Sequence, residues 1–188
     1  DFREILAATR QFVRTVVVPR ESEIADNDAV PADIREHAKK MGLFGYAIPQ
    51  QWGGLGLDIT QDVELALELG YTSLAVRSMF GTNNGIAGQV LVGFGTEEQK
   101  ARWLEPMATG DVVASFALTE PGAGSDPAGL RTRAVRDGDS WVLSGQKRWI
   151  TNAGVSEFYT VMTLTDPEKR TRGGITAFVV EKGDEGFS

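Results

Sequence analysis

The feature that most constrains this chain is a change of period at Gly110-Asp111. Before it, apolar residues recur at helical spacing; after it, they come in short β-type runs. One layer of secondary structure cannot bury both patterns, so two consecutive domains are predicted, a helical one over 1–111 and a β one over 112–188. The predicted class is α+β, with an all-α N-terminal domain followed by an antiparallel, β-barrel-like domain.

In the first domain Phe2, Ile5, Leu6, Phe12, Val13 and Val16 share a helical period. Pro19 is expected to end it, because its ring cannot continue the i→i−4 bonding. A second helix is predicted to open at Pro31 and close at Gly42. Residues 43–58, with Gly53, Gly54 and Gly56, read as an ordered loop. Helical spacing resumes at Val63 and Leu67, and again at Ile86, Val90 and Leu91. Gly95 closes that helix, and Thr96-Glu97-Glu98-Gln99 opens the next with a capping box, in which Thr96 and Gln99 satisfy backbone donors reciprocally.

The β-type runs are 112–118, 130–136, 140–143, 158–165 and 175–181. Asp137-Gly138 lies between two of them and predicts a hairpin with a type I′ turn, which needs positive φ at both central residues. Residues 166–174 are charged and read as an exposed loop. So few strands bury little surface and leave edges, so this is expected to be part of a longer polypeptide, cut before a further domain. The first residue is Asp1 and no signal-peptide pattern follows, which leaves targeting open.

Composition removes several functions. With 41% hydrophobic and 24% charged residues, the chain has the make-up of a globular protein, and no stretch approaches the roughly 20 apolar residues of a membrane span. There are no cysteines, which excludes disulfides, thiolate-bound zinc and iron–sulfur clusters and fits a reducing compartment. One histidine, His37, rules out a site of several imidazoles, and its neighbours Glu36, Lys39 and Lys40 make it a solvated surface residue. A net charge of −7 and a pI near 4.8 argue against a nucleic-acid partner.

The chemistry is concentrated in Ala117-Leu118-Thr119-Glu120-Pro121-Gly122-Ala123-Gly124-Ser125-Asp126-Pro127-Ala128-Gly129. A strand running into this turn would let amides at Gly122 and Gly124 converge on an anion, with Thr119 and Ser125 adding hydroxyls. The spacing is neither that of the dinucleotide-binding G-x-G-x-x-G nor that of the P-loop. On these residues alone, a plain connecting loop is the commoner reading.

The same stretch matches the signature of the acyl-CoA dehydrogenase family. The similarity extends through Gly145-Gln146-Lys147-Arg148-Trp149-Ile150-Thr151-Asn152-Ala153, and back through Met41-Gly42-Leu43, Pro49 with Gly53-Gly54, and Phe94-Gly95-Thr96-Glu97-Glu98-Gln99-Lys100. The resemblance implies α,β-dehydrogenation of an acyl-CoA thioester with FAD, electrons passing to an electron-transferring flavoprotein. It implies that Phe116, Leu118 and Thr119 border the flavin, that Gly124 and Ser125 hold its pyrophosphate, and that Trp149, Ile150 and Thr151 line its ring. Ser125, Met79, Phe80, Thr82 and Arg172 become the expected contacts to acyl-CoA, with Arg170 a weaker candidate for the CoA phosphate. Glu120 is expected to be structural, and no catalytic base is expected within these residues, because in most relatives it lies in a C-terminal helical bundle. The expected setting is the bacterial cytoplasm or mitochondrial matrix, and the expected full-length assembly a homotetramer. An acyl-CoA oxidase, a non-catalytic partner subunit of this fold, and a binding module without flavin stay open as alternatives.

Overall fold

The computed structural model describes residues 1–188, which fall into two compact units, Asp1–Val113 and Ala114–Ser188. The first unit is helical. Its helices are α1 (Phe2–Phe12), α2 (Glu21–Asn27), α3 (Ala32–Lys40), α4 (Ile59–Leu69), α5 (Leu74–Asn84), α6 (Ile86–Phe94) and α7 (Glu97–Thr109).

Local chemistry sets most of the ends. Asp1 with Glu4, Asp58 with Gln61, and Thr96 with Gln99 each form a capping box, satisfying amides that a helix start leaves unpaired. The predicted stop at Pro19 does not occur. After α1 the backbone continues as a π-helical turn, Val13–Val17, and a 3₁₀ turn, Val18–Arg20, before α2. Proline is tolerated in the opening turn of a new segment, where its missing N–H costs nothing. The glycine-rich loop is ordered, as expected. A Cβ on Gly54 would lie 2.0 Å from the Ile48 carbonyl oxygen, so the loop closes on itself only with glycine there.

The core of this unit joins Phe12, Ile34, Phe44, Tyr46, Leu65 and Phe80, all buried. Burying one such side chain contributes about 2 kcal/mol. Val63 and Leu67, which signalled α4 in the sequence, lie on its exposed face, and Leu65 and Leu69 face the core. Asn84 adds a polar tie at the end of α5. Its amide donates to the carbonyls of Leu43 (2.8 Å) and Phe80 (3.0 Å) and its oxygen accepts from the Ala47 N–H (2.9 Å).

The second unit holds β1 (Ala114–Ala117), β2 (Arg133–Asp137), β3 (Ser140–Ser144), β4 (Phe158–Leu164) and β5 (Ile175–Glu181). The helical-then-β class stands, but the sheet is mixed rather than purely antiparallel. β2–β3 and β4–β5 are antiparallel, whereas β4 runs parallel to β1 and, at Arg133↔Leu164, to β2. Neighbours joined by short turns must reverse direction, while the long connection from β1 to β4 permits parallel pairing. Among these strands β3 and β5 each pair on one side only. The hairpin also differs in detail. Asp137 pairs with Ser140, the central residues are Gly138 and Asp139, and only Gly138 has positive φ. That is the pattern of a II′ turn, which needs a left-handed residue at its first position alone.

Candidate functional site

β1 aligns its end with the middle of β4, Ala117 opposite Val161. The chain leaves the strand at Leu118 and folds back at once: Glu120 N–H donates to the Ala123 carbonyl (2.9 Å) and Ala123 N–H to that of Glu120 (3.2 Å). Gly124 and Ser125 follow this tight turn on the surface. Asp126 then accepts from Ala128 N–H (3.0 Å) and starts the 3₁₀ turn Pro127–Gly129. A Cβ on Gly122 or Gly124 would meet no protein atom within 4 Å, and neither glycine has positive φ. The fold itself therefore does not require glycine at these two positions, and the open backbone leaves room for something outside the chain.

A second segment lies along the first. After β3, residues 145–148 run beside 118–120. Arg148 N–H donates to the Thr119 carbonyl (2.8 Å), and the Lys147 ammonium donates to the Leu118 carbonyl (3.0 Å). Residues 149–155 then form a turn with three left-handed residues, Trp149 (φ 59°), Asn152 (φ 64°) and Gly154 (φ 85°). Positive φ is uncommon for a bulky residue such as tryptophan and needs support from its surroundings. That support comes from behind the turn. The buried Ser115 hydroxyl donates to the Thr151 carbonyl (2.7 Å) and shares a hydrogen bond with the Ser156 hydroxyl (2.8 Å). Gly154 N–H donates to the Tyr159 hydroxyl (2.9 Å), and Lys182 reaches the Gly154 carbonyl (3.2 Å). The front of the turn is open, with Trp149 80% exposed and its ring 4.7 Å from the Arg148 guanidinium.

Glu120 anchors the two segments. Its carboxylate accepts from the amides of Arg131 (2.7 Å) and Thr132 (2.9 Å), from the Thr132 hydroxyl, and from Lys147 (2.9 Å). Burial alone would raise its pKa, but these hydrogen bonds outweigh it and hold the carboxyl at about 2. Burial pulls Lys147 downward against the opposing influence of Glu120. With its oxygens engaged and so little basicity, Glu120 is a structural carboxylate and not a proton acceptor. Gly145 packs directly on Thr132, its would-be Cβ 2.7 Å from the threonine Cα, so this part of the arrangement does require glycine.

Of the sequence-predicted residues, the fold brings Leu118 and Thr119 together with the Trp149 turn that carries Thr151. Phe116 is half-buried on β1, and Ile150 packs on the cluster of Ala117, Tyr159 and Val161. Gly124 and Ser125 are exposed past the 120–123 turn. Met79, Phe80 and Thr82 are buried on α5, where Met79 and Phe80 belong to the helical unit's core and Phe80 packs edge-on against Phe44 and Tyr46. Arg172 is exposed in the 166–174 loop, and it is Arg170, at φ 46°, whose guanidinium donates to the Ala128 carbonyl (2.8 Å). His37 is exposed, its ring edge-on to Phe12. Lys147 and Arg148 lie in the family-like stretch but the sequence gives them no role, and nothing in it marks Ser115. Only Asn152 and Gly154, both tolerant of left-handed backbone, signal a turn there.

These features fit a flat, anionic dinucleotide: amide-bearing glycines with free space around them, hydroxyls at Thr119 and Ser125, and an exposed indole on a braced turn. No helix is long and apolar enough to cross a membrane, and no cluster of three or more acidic or histidine side chains is placed to hold a metal.

Comparison with known proteins gives the same direction for both units. The family model for the acyl-CoA dehydrogenase N-terminal domain matches residues 1–111, and that for the middle domain matches residues 115–188. An acyl-CoA dehydrogenase of Bacillus subtilis is 35% identical over 95% of this chain and 47% of its own length. A glutaryl-CoA dehydrogenase from Mycobacterium smegmatis, solved in complex with FADH2, superposes with a TM-score of 0.89 at 34% identity, over 100% of this chain and 47% of that one. A chain from a structure of the electron transferring flavoprotein of Acidaminococcus fermentans gives 0.91 at 32% identity, over 100% and 49%. The chain thus spans about half the length of the relatives it matches. With a family model on each unit and this agreement in fold, the chain belongs to the acyl-CoA dehydrogenase family.

Proposed function

We propose that these residues form the flavin-binding part of an FAD-dependent acyl-CoA dehydrogenase, an enzyme that removes hydrogen from the α and β carbons of an acyl-CoA thioester. The observation that carries this reading is the junction of two segments far apart in sequence: the exit of β1 at Leu118-Thr119, bonded through Arg148 and Lys147 to the turn bearing Trp149 and Thr151. The likeness to a glutaryl-CoA dehydrogenase described with FADH2 supports FAD as the dinucleotide. When bound, FAD supplies the hydride acceptor.

The chain's own residues bind and orient. The Leu118 amide and Thr119 hydroxyl offer fixed donors at the ring's electron-rich edge, where such donors favour reduction. Gly124 and Ser125 offer an amide and a hydroxyl to the pyrophosphate, and Trp149 forms a wall for the ring, with Ile150 beneath the turn and Thr151 offering a further hydroxyl. Ser125 and Arg172 are assigned to acyl-CoA, the α5 residues Met79, Phe80 and Thr82 being buried in the helical unit, and none of the residues here is assigned as the base. The same reading takes an electron-transferring flavoprotein as acceptor, the bacterial cytoplasm or mitochondrial matrix as compartment and a tetramer as the full-length assembly.

The test is anaerobic titration of the intact natural polypeptide, loaded with FAD, against a panel of acyl-CoA thioesters. Bleaching of the visible flavin absorbance that persists on brief exposure to air supports the dehydrogenase. Rapid reoxidation by air assigns an oxidase instead. Failure to retain FAD refutes the reading.

A further inference from the structure

We propose that Lys147, held in place by Glu120, is the positioning residue that locks the Trp149 turn against the exit of β1. Four observations converge on this. The Lys147 ammonium bridges residues 145–148 to the exit of β1, giving one hydrogen bond to the Leu118 carbonyl (3.0 Å) and one to the Glu120 carboxylate (2.9 Å), beside the bond from Ser115 on β1 to the Thr151 carbonyl. The next residue makes the adjoining backbone bond, from Arg148 N–H to the Thr119 carbonyl (2.8 Å). The residue after that is Trp149, exposed and left-handed, a conformation that relaxes unless its neighbours over-determine it. The pair itself is withdrawn from water, with side-chain exposures of 11% for Lys147 and 6% for Glu120, so its geometry is not averaged by solvent.

The pair is asymmetric, which makes the role separable from folding. Without Lys147, the Glu120 carboxylate keeps the Arg131 and Thr132 amides and the Thr132 hydroxyl. A carboxylate held by two or three such donors remains satisfied. The Leu118 carbonyl, by contrast, loses the tie to the neighbouring segment. Lys147→Met, which keeps an unbranched apolar stem, therefore loosens residues 145–148, which lead into the turn, from the exit of β1 while leaving the Glu120 anchor and the Ser115 bond to Thr151 intact. The consequence for flavin affinity rests on the function proposed above; the consequence for the turn does not.

The experiment uses the intact polypeptide, stripped of flavin and then reloaded. Amide exchange is read at Arg148 in the wild type, Lys147→Met, Lys147→Arg and Phe158→Leu, the last a change at a buried residue at the start of β4 that lowers thermal stability and alters neither Lys147 nor Glu120. Lys147→Met is expected to speed Arg148 exchange about tenfold or more beyond Phe158→Leu at matched loss of thermal stability. Lys147→Arg, which restores a bridging cation, should recover most of the protection. In the reloaded protein the FAD dissociation constant should rise about tenfold in Lys147→Met and change less than about twofold in Phe158→Leu. Exchange at Arg148 no faster in Lys147→Met than in Phe158→Leu overturns the proposal, and so does faster exchange that Lys147→Arg fails to correct. A protein that binds no FAD defeats the functional reading, while the exchange comparison still decides the role of Lys147.

Discussion

Glu120→Gln is the substitution whose effect the structure quantifies best. The native carboxyl is held at about 2 against an ordinary value of 4.5. At about 1.4 kcal/mol per pH unit, that displacement stores about 3 kcal/mol of folding free energy at neutral pH. Glutamine keeps the volume but removes the charge. Its amide nitrogen must also face a group that donates, because the Arg131 and Thr132 amides, the Thr132 hydroxyl and Lys147 all give hydrogen bonds to the carboxylate. Leaving one buried donor unpaired costs about 1–3 kcal/mol. The total loss should be about 3–5 kcal/mol, the range for breaking a buried pair by removing one partner. Because the folded-state pKa is depressed, the wild-type contribution is complete above pH 4.5 and is lost as pH falls toward 2. Denaturant titrations of both proteins at several pH values are the assay. The gap between them should narrow by about 2 kcal/mol from pH 7 to pH 3. A gap below about 1 kcal/mol, or one that does not change with pH, refutes the reasoning.

Two further outcomes follow from single sites. Gly54→Ala places a methyl 2.0 Å from the Ile48 carbonyl oxygen, and since that oxygen is backbone and cannot swing aside, the helical unit should lose about 3 kcal/mol or more in thermal denaturation. Trp149→Asn exchanges an exposed left-handed tryptophan for a residue that tolerates that conformation; stability of the flavin-free protein should change by less than about 1 kcal/mol. Flavin affinity, measured by titration, should nonetheless fall about five- to tenfold with the loss of ring contact.

The sequence shows local structure well and long-range geometry poorly, for physical reasons. Strand runs such as 158–165 and 175–181 are legible because β-branched and aromatic residues cluster in them, and the Thr96–Gln99 box because a cap is complete within four residues. The parallel pairing of β4 with β1 is not legible, since it depends on a partner more than forty residues away. Pro19 misleads because the rule that it ends a helix says nothing of a π-helical turn and a fresh 3₁₀ start beside it. At the candidate site the glycine-rich turn stands out at once. The brace does not: Lys147 and Glu120 are 27 positions apart, and neither residue type announces a buried pair. Nor does the sequence distinguish a tryptophan filling a core, its commoner fate, from one held outward at positive φ. Only the turn formed by Asn152 and Gly154 hints at the second.

The ring of a bound flavin is proposed to lie against Trp149, and tryptophan emission reads this directly. Of the four tryptophans, Trp52, Trp103 and Trp141 can be changed to phenylalanine so that Trp149 alone emits. Titration of that protein with FAD should quench the emission almost completely at one flavin per chain, since an excited indole in contact with oxidised flavin loses its energy by electron transfer to the ring. Stoichiometric FAD binding that leaves the Trp149 emission unchanged would contradict the account.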